Sequence, residues 1–182
     1  MNIMLAQQMV SLEQEDRALI EDLYASGEIP SPDYHPRVRA LHRANAQRLG
    51  MVLDVHGWPG VTNVGEEACQ AAWRIAMNAV FDLAFMERCC QELLQAVAHG
   101  QARGWQLAYL EDRIRVLSGQ SQRYGTQFEI AEDGWPTPSP IEDPERVDRR
   151  RAALGLEPLS ERMSRLSAGI AATGRGSLRR SA

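Results

Sequence analysis

The chain has 182 residues, enough for one well-filled core, with 44% hydrophobic and 24% charged residues and a formal net charge of -4. That charge gives no global reason to expect nucleic acid as a partner. All 20 basic residues are arginine, which excludes a lysine Schiff base and the lysine of a phosphate-binding P-loop.

The three cysteines, Cys69, Cys89 and Cys90, have no CxxC spacing and fall within helical patterns. They read as small reduced core residues of a cytoplasmic protein. No basic region followed by an apolar run opens the sequence, and no apolar stretch approaches the ~20 residues that cross a bilayer, so neither a signal peptide nor a membrane span is expected.

In chain order, Met9, Leu12, Leu19, Ile20 and Leu23 share one face of a helix predicted over 9–24, ended by Gly27 and Pro30 and followed by a loop at 31–33. A second helix over 36–55 carries Val38, Leu41, Leu49 and Val52. Gly57 suits its end, and Pro59 forbids continuation. Asn63 with Glu66 has capping-box spacing for a third helix over 64–80, whose small residues predict close helix contact. A fourth spans 82–99. The fifth, over 105–117, is apolar on two sides and is expected to be central. An alternating stretch over 124–130, with a turn at Asp133-Gly134, predicts a small hairpin. Residues 135–144 hold four prolines and are expected to form an extended loop. A last helix is predicted over 144–154, with Asp143 as its N-cap. Residues 161–182 hold five Arg against one Glu and are expected to be disordered. The expectation is therefore a mainly α protein: one helical-bundle-like domain over 1–159 with a small β-hairpin, and a tail over 160–182.

Function is sought where polar residues interrupt apolar stripes. Asp16 lies among Leu12, Leu19 and Leu23; Asn45 and His56 continue the Val38 stripe; Asn78 follows Ala71 and Ile75; Asp112 sits between Tyr109 and Val116. A buried polar group left unpaired costs ~1–3 kcal/mol, so five unpaired ones would cancel about the whole stability of a domain. They are expected to pair around one polar pocket inside the bundle. His56, at a helix C-terminus beside Trp58, is the acid–base candidate, oriented by Asp16 or Asp112. As an alternative, its ring caps the last carbonyls. Arg113 reads as an anion clamp, or as a surface charge like the Glu111/Arg115 pair at i,i+4. Gln122, Tyr124 and Gln127 are dense in hydrogen-bonding groups around Gly125, and with Trp58, Asn45 and Asn78 complete the substrate-binding set. No Glu-x-x-His pair, His-x-x-x-His pair or Cys/His cluster occurs, so no metal or other cofactor is expected.

The stretch 37–159 resembles a bacterial family of unassigned function. The residues that carry the likeness are Asn45 with Arg48-Leu49, His56-Gly57-Trp58-Pro59, Val64-Gly65, Ala71-Ala72-Trp73, Ala108 to Arg113, Gln122 with Tyr124 to Gln127, Pro140 to Asp143, and Val147-Asp148 with Arg150-Arg151. Where members resemble Gln-His-Ala-Asp, this chain has Met77-Asn78-Ala79-Val80, without the second histidine. The functional expectation is a small enzyme using His-based acid–base chemistry for hydrolysis, group transfer or cyclisation of a polar or anionic molecule. The alternative is a non-catalytic binding protein whose polar network is structural and whose arginine-rich tail meets an acidic partner.

Overall fold

The computed structural model describes residues 1–31, 33–132 and 134–172. Among them the protein is mainly α-helical with one small hairpin, and no helix is long and apolar enough to cross a membrane. Contacts divide the chain into two compact units, Met1–Ala102 and the remainder from Arg103.

The first unit opens with α1, Ile3–Ala25, which starts earlier than its apolar stripe because the Asn2 side chain accepts the Leu5 amide at 3.1 Å. It buries Leu5, Met9, Leu12 and Leu23. Helix α2, Pro36–His56, has proline at its start and Gly57 at its end, and buries Val38, His42, Asn45, Leu49 and Val52. A single turn, α3 (Val61–Val64), precedes α4, Glu66–Asn78. The capping box expected at Asn63 does not form: Asn63 belongs to α3, and Gly65, at φ 85°, redirects the chain into α4. Ala68, Ala71, Ala72 and Ala76 of α4 are buried to 1% or less, and α1 and α2 pack on this smooth face. Helix α5, Leu83–Ala98, begins where Asp82 accepts the Phe85 amide at 3.0 Å. It adds Met86, Cys89 and Leu93 to the core, each fully buried aliphatic side chain stabilising by about 1.5–3 kcal/mol.

The second unit is built on α6, Gly104–Leu117, whose buried residues Gln106, Leu107, Ala108, Leu110 and Asp112 spread around much of its circumference. Strands β1 (Phe128–Ile130) and β2 (Pro136–Pro138) pair antiparallel, Phe128 opposite Pro138 and Ile130 opposite Pro136. The expected hairpin is present. Its second strand lies in the proline-rich stretch read as a loop, because a two-stranded ribbon leaves edges where missing N–H groups cost nothing. The Asp133 part of its expected turn lies outside the described residues, as does Pro32 of the loop before α2.

A 3-10 turn, Pro144–Arg146, leads into α7, Val147–Ala153. Asp143, at φ 47°, makes no side-chain cap. Helix α8, Leu159–Ala172, runs through the start of the expected tail, and 173–182 lie outside the described residues.

Candidate functional site

In the first unit three helices bring polar side chains together on the buried side. Asp16 of α1 accepts a hydrogen bond from Nε2 of His42 at 2.7 Å and one from the Asn78 amide nitrogen at 3.3 Å. With its Nε2 proton committed to the carboxylate, the His42 ring presents Nδ1 as an acceptor, and the Tyr34 hydroxyl donates to it. His42 is 9% exposed. Tyr34 is half-buried on the segment before α2, its hydroxyl also 3.5 Å from the Asn78 carbonyl. Asn45 donates to the Leu12 carbonyl at 3.3 Å, while its Oδ1 is buried with no partner among the described residues. Asp16, His42, Asn45 and Asn78, with Glu13 and Arg74, line a cavity of about 10 Å³, close to the room one water molecule needs. Glu13 and Arg74 form an ion pair beside it.

Asp16, Asn45 and Asn78 thus meet as expected, but around His42 and not His56. His56 is the exposed last residue of α2 and makes no side-chain hydrogen bond or ion pair among the described residues, so neither the Asp16 pairing nor the capping role is realised. It lines an open surface depression with Arg48, Met51 and Val55. Trp58 is buried, and its Nε1 has no partner among the described residues. The signal for His42 was in the sequence: 38, 42, 45, 49 and 52 alternate steps of four and three, so His42, not Leu41, lies on the buried seam.

Asp112, the other expected orienter of His56, has a different task. Its carboxylate accepts the backbone amides of Arg123 (2.7 Å), Tyr124 (3.1 Å) and Thr126 (3.0 Å), and the Thr126 hydroxyl at 3.0 Å. Burial pushes this carboxyl up from its ordinary range, and the three amides and the hydroxyl pull it back. The loop can converge on one carboxylate because Gly125 takes φ 65°, and a Cβ there would come within 3.0 Å of Ile141 and Leu159.

The remaining predicted binders tie the same loop. Gln122 is fully buried, donating to the carbonyls of Gln127 (2.9 Å) and Ser139 (2.7 Å) and accepting the Gln127 amide. Arg113 donates to the Gln127 side chain at 3.1 Å, and Gln127 donates to the Thr126 hydroxyl. Tyr124 donates its hydroxyl to Glu111 at 3.2 Å; burial first, then the Glu111 charge, push its pKa up to about 12. Glu111 pairs with Arg123 and Arg115 with Glu142, so the expected helix-surface pair Glu111/Arg115 is exchanged for loop contacts. Two arginines outside the expected site close the knot: Arg151, 1% exposed, donates to the carbonyls of Tyr124 and Gly125, and Arg150 to that of Arg123. Among the described residues no three His, Cys, Asp or Glu side chains gather as metal ligands would.

The fold and site define a mainly α-helical protein with a partly buried carboxylate–imidazole–phenol chain in one unit and an arginine-tied loop in the other. The chain belongs to the family of unknown function DUF6624, whose model matches residues 4–172. No curated protein and no solved structure shows a match.

Proposed function

We propose that the protein is a small cytoplasmic bacterial enzyme that performs acid–base chemistry on a polar or anionic small molecule. The observation that carries this reading is the hydrogen-bonded series Asp16–His42–Tyr34. A base held by a carboxylate on one side and engaging a hydroxyl on the other is the arrangement that activates a hydroxyl for proton transfer or attack. Asp16 fixes the tautomer and orientation of the ring, His42 accepts the phenolic proton, and Tyr34 is the group that meets substrate. His42 therefore takes the role first sought at His56. Hydrolysis, group transfer and cyclisation all use such a proton path.

The test is turnover of a panel of chromogenic esters, amides and phosphoesters. For any substrate found, Tyr34→Phe and His42→Gln are expected to cut kcat by about 10²–10⁴-fold, and His56→Ala to leave it unchanged. Turnover that survives both substitutions, or that is lost only in His56→Ala, sinks the assignment.

The Asp112 loop favours a second reading, a non-catalytic binding protein. There every buried carboxylate oxygen already has donors from the chain itself, and Arg175, Arg179 and Arg180 would contact an acidic partner. Deletion of 173–182 would then abolish the cellular phenotype, while Tyr34→Phe would not.

A further inference from the structure

Arg39 and Arg43 stand four residues apart on α2, and so on one helix face. Both are exposed, yet among the described residues neither has a carboxylate partner. Their neighbours on the same helix do: Arg37 pairs with Asp22 and Glu28, and Arg48 with Glu15. Arg39 and Arg43 lie instead over aromatic rings, Arg39 at 5.3 Å from the centre of Tyr34 and Arg43 at 5.4 Å from that of Phe81. A guanidinium that lies over a ring and has no carboxylate partner can offer its N–H groups to a ligand, and its planar fork matches the two oxygens of a carboxylate or phosphate.

The surroundings give these donors a shaped setting. A depression of about 570 Å³ is lined by Asp33, Tyr34, Pro36, Arg39 and Arg43, and among the described residues Asp33 pairs with neither arginine. Arg43 also borders a second depression, of about 420 Å³, lined by Ala46, Gln47, Gly50, Phe81 and Phe85. Asp82 also borders it, with its carboxylate accepting the Phe85 amide. Arg43 is common to both. The pattern is a cationic fork beside the reactive phenol, adjoining an apolar shelf.

We propose that Arg39 and Arg43 form an oxyanion subsite beside Tyr34, which takes the phosphate or carboxylate of a small organic anion whose apolar body lies against Phe81 and Phe85. This rests on the reading of Tyr34 as the group that meets substrate. It moves the anion clamp from Arg113, whose guanidinium is engaged with Gln127.

The experiment is titration calorimetry of the full chain with phenyl phosphate and with benzoate. The wild type is expected to bind at least one of them; which one is tighter identifies the oxyanion. Arg43→Gln should weaken binding about tenfold or more, as loss of a charged hydrogen-bonding fork does, and Arg39→Gln several-fold. Arg37→Gln removes the same charge from the same helix and should change affinity less than about twofold, since that guanidinium is already paired. All three variants should melt within a few degrees of wild type.

Absence of binding by either probe overturns the subsite. So does equal weakening by Arg37→Gln, which would report only diffuse attraction. The outcome separates from that of the acid–base reading. Turnover lost in Tyr34→Phe, with probe affinity indifferent to Arg39→Gln and Arg43→Gln, rejects the subsite alone. Probe binding that needs both arginines, with turnover intact in Tyr34→Phe, rejects the relay and leaves the arginines as an anion site.

Discussion

Tyr124 shows how far burial reaches into the chemistry of single groups. Its phenol holds its proton to about pH 12, against about 10 for an exposed tyrosine. Because the folded pKa is the higher one, the contribution is fully present below pH 10 and is lost as pH rises towards 12, on the order of 2 kcal/mol in all. Absorbance titration of the folded protein at 295 nm should show a late ionisation that is absent from Tyr124→Phe. In Tyr124→Phe the stability lost between pH 10 and 12 should shrink. Asp112 is a stronger determinant of stability. Asp112→Ala strands three amides and a hydroxyl in a buried site, and should cost more than about 3 kcal/mol in urea unfolding. Asp112→Asn, which keeps one acceptor oxygen, should cost less.

Among the elements, close approach of backbones leaves little room for substitution. A Cβ on Gly104, at the start of α6, would sit 2.9 Å from the Leu154 carbonyl oxygen and 3.0 Å from its Cα. Gly104→Ala should therefore lower the melting temperature, even though alanine is the better helix former by about 1 kcal/mol. The long helices were legible in the sequence because their caps and periods agree: Pro36 and Gly57 bracket α2, and Asp82 opens α5. Short or strained pieces were not. The turn α3 carries no periodicity, and β2 consists of Pro-Thr-Pro, which no strand pattern describes. Of the site, Asp16, Asn45 and Asn78 could be found as polar breaks in apolar stripes. His42 stands one residue beyond the apolar Leu41, which masks it on the α2 seam, and Tyr34 lies outside any helix. Asp112 stood out by the same rule, but a stripe tells only that a residue is buried and not which distant amides will reach it.

For the molecule as a whole, the thiols are convenient reporters. Cys69 and Cys89 are buried, Cys90 half-buried, and burial holds the Cys89 thiol up at about 12. Thiolate is the reacting species, so in native conditions at pH 8 only Cys90 should be alkylated by iodoacetamide, with all three reacting in denaturant. Rapid native labelling of Cys89 would contradict the packing of α5. The rate at which Cys89 becomes labelled measures opening of the first unit.

The convergence of amides on Asp112 has one more implication. A loop whose N–H groups point at a common centre is a receptor for an anion, and here the anion is covalently supplied by the chain. The receptor is occupied for the life of the fold and is closed to soluble competitors. Cutting the carboxylate from its tether should reopen it. In Asp112→Ala, millimolar formate should restore part of the lost stability, and chloride should not. Chemical rescue of that kind would show that the loop needs the charge and its geometry and not the covalent link.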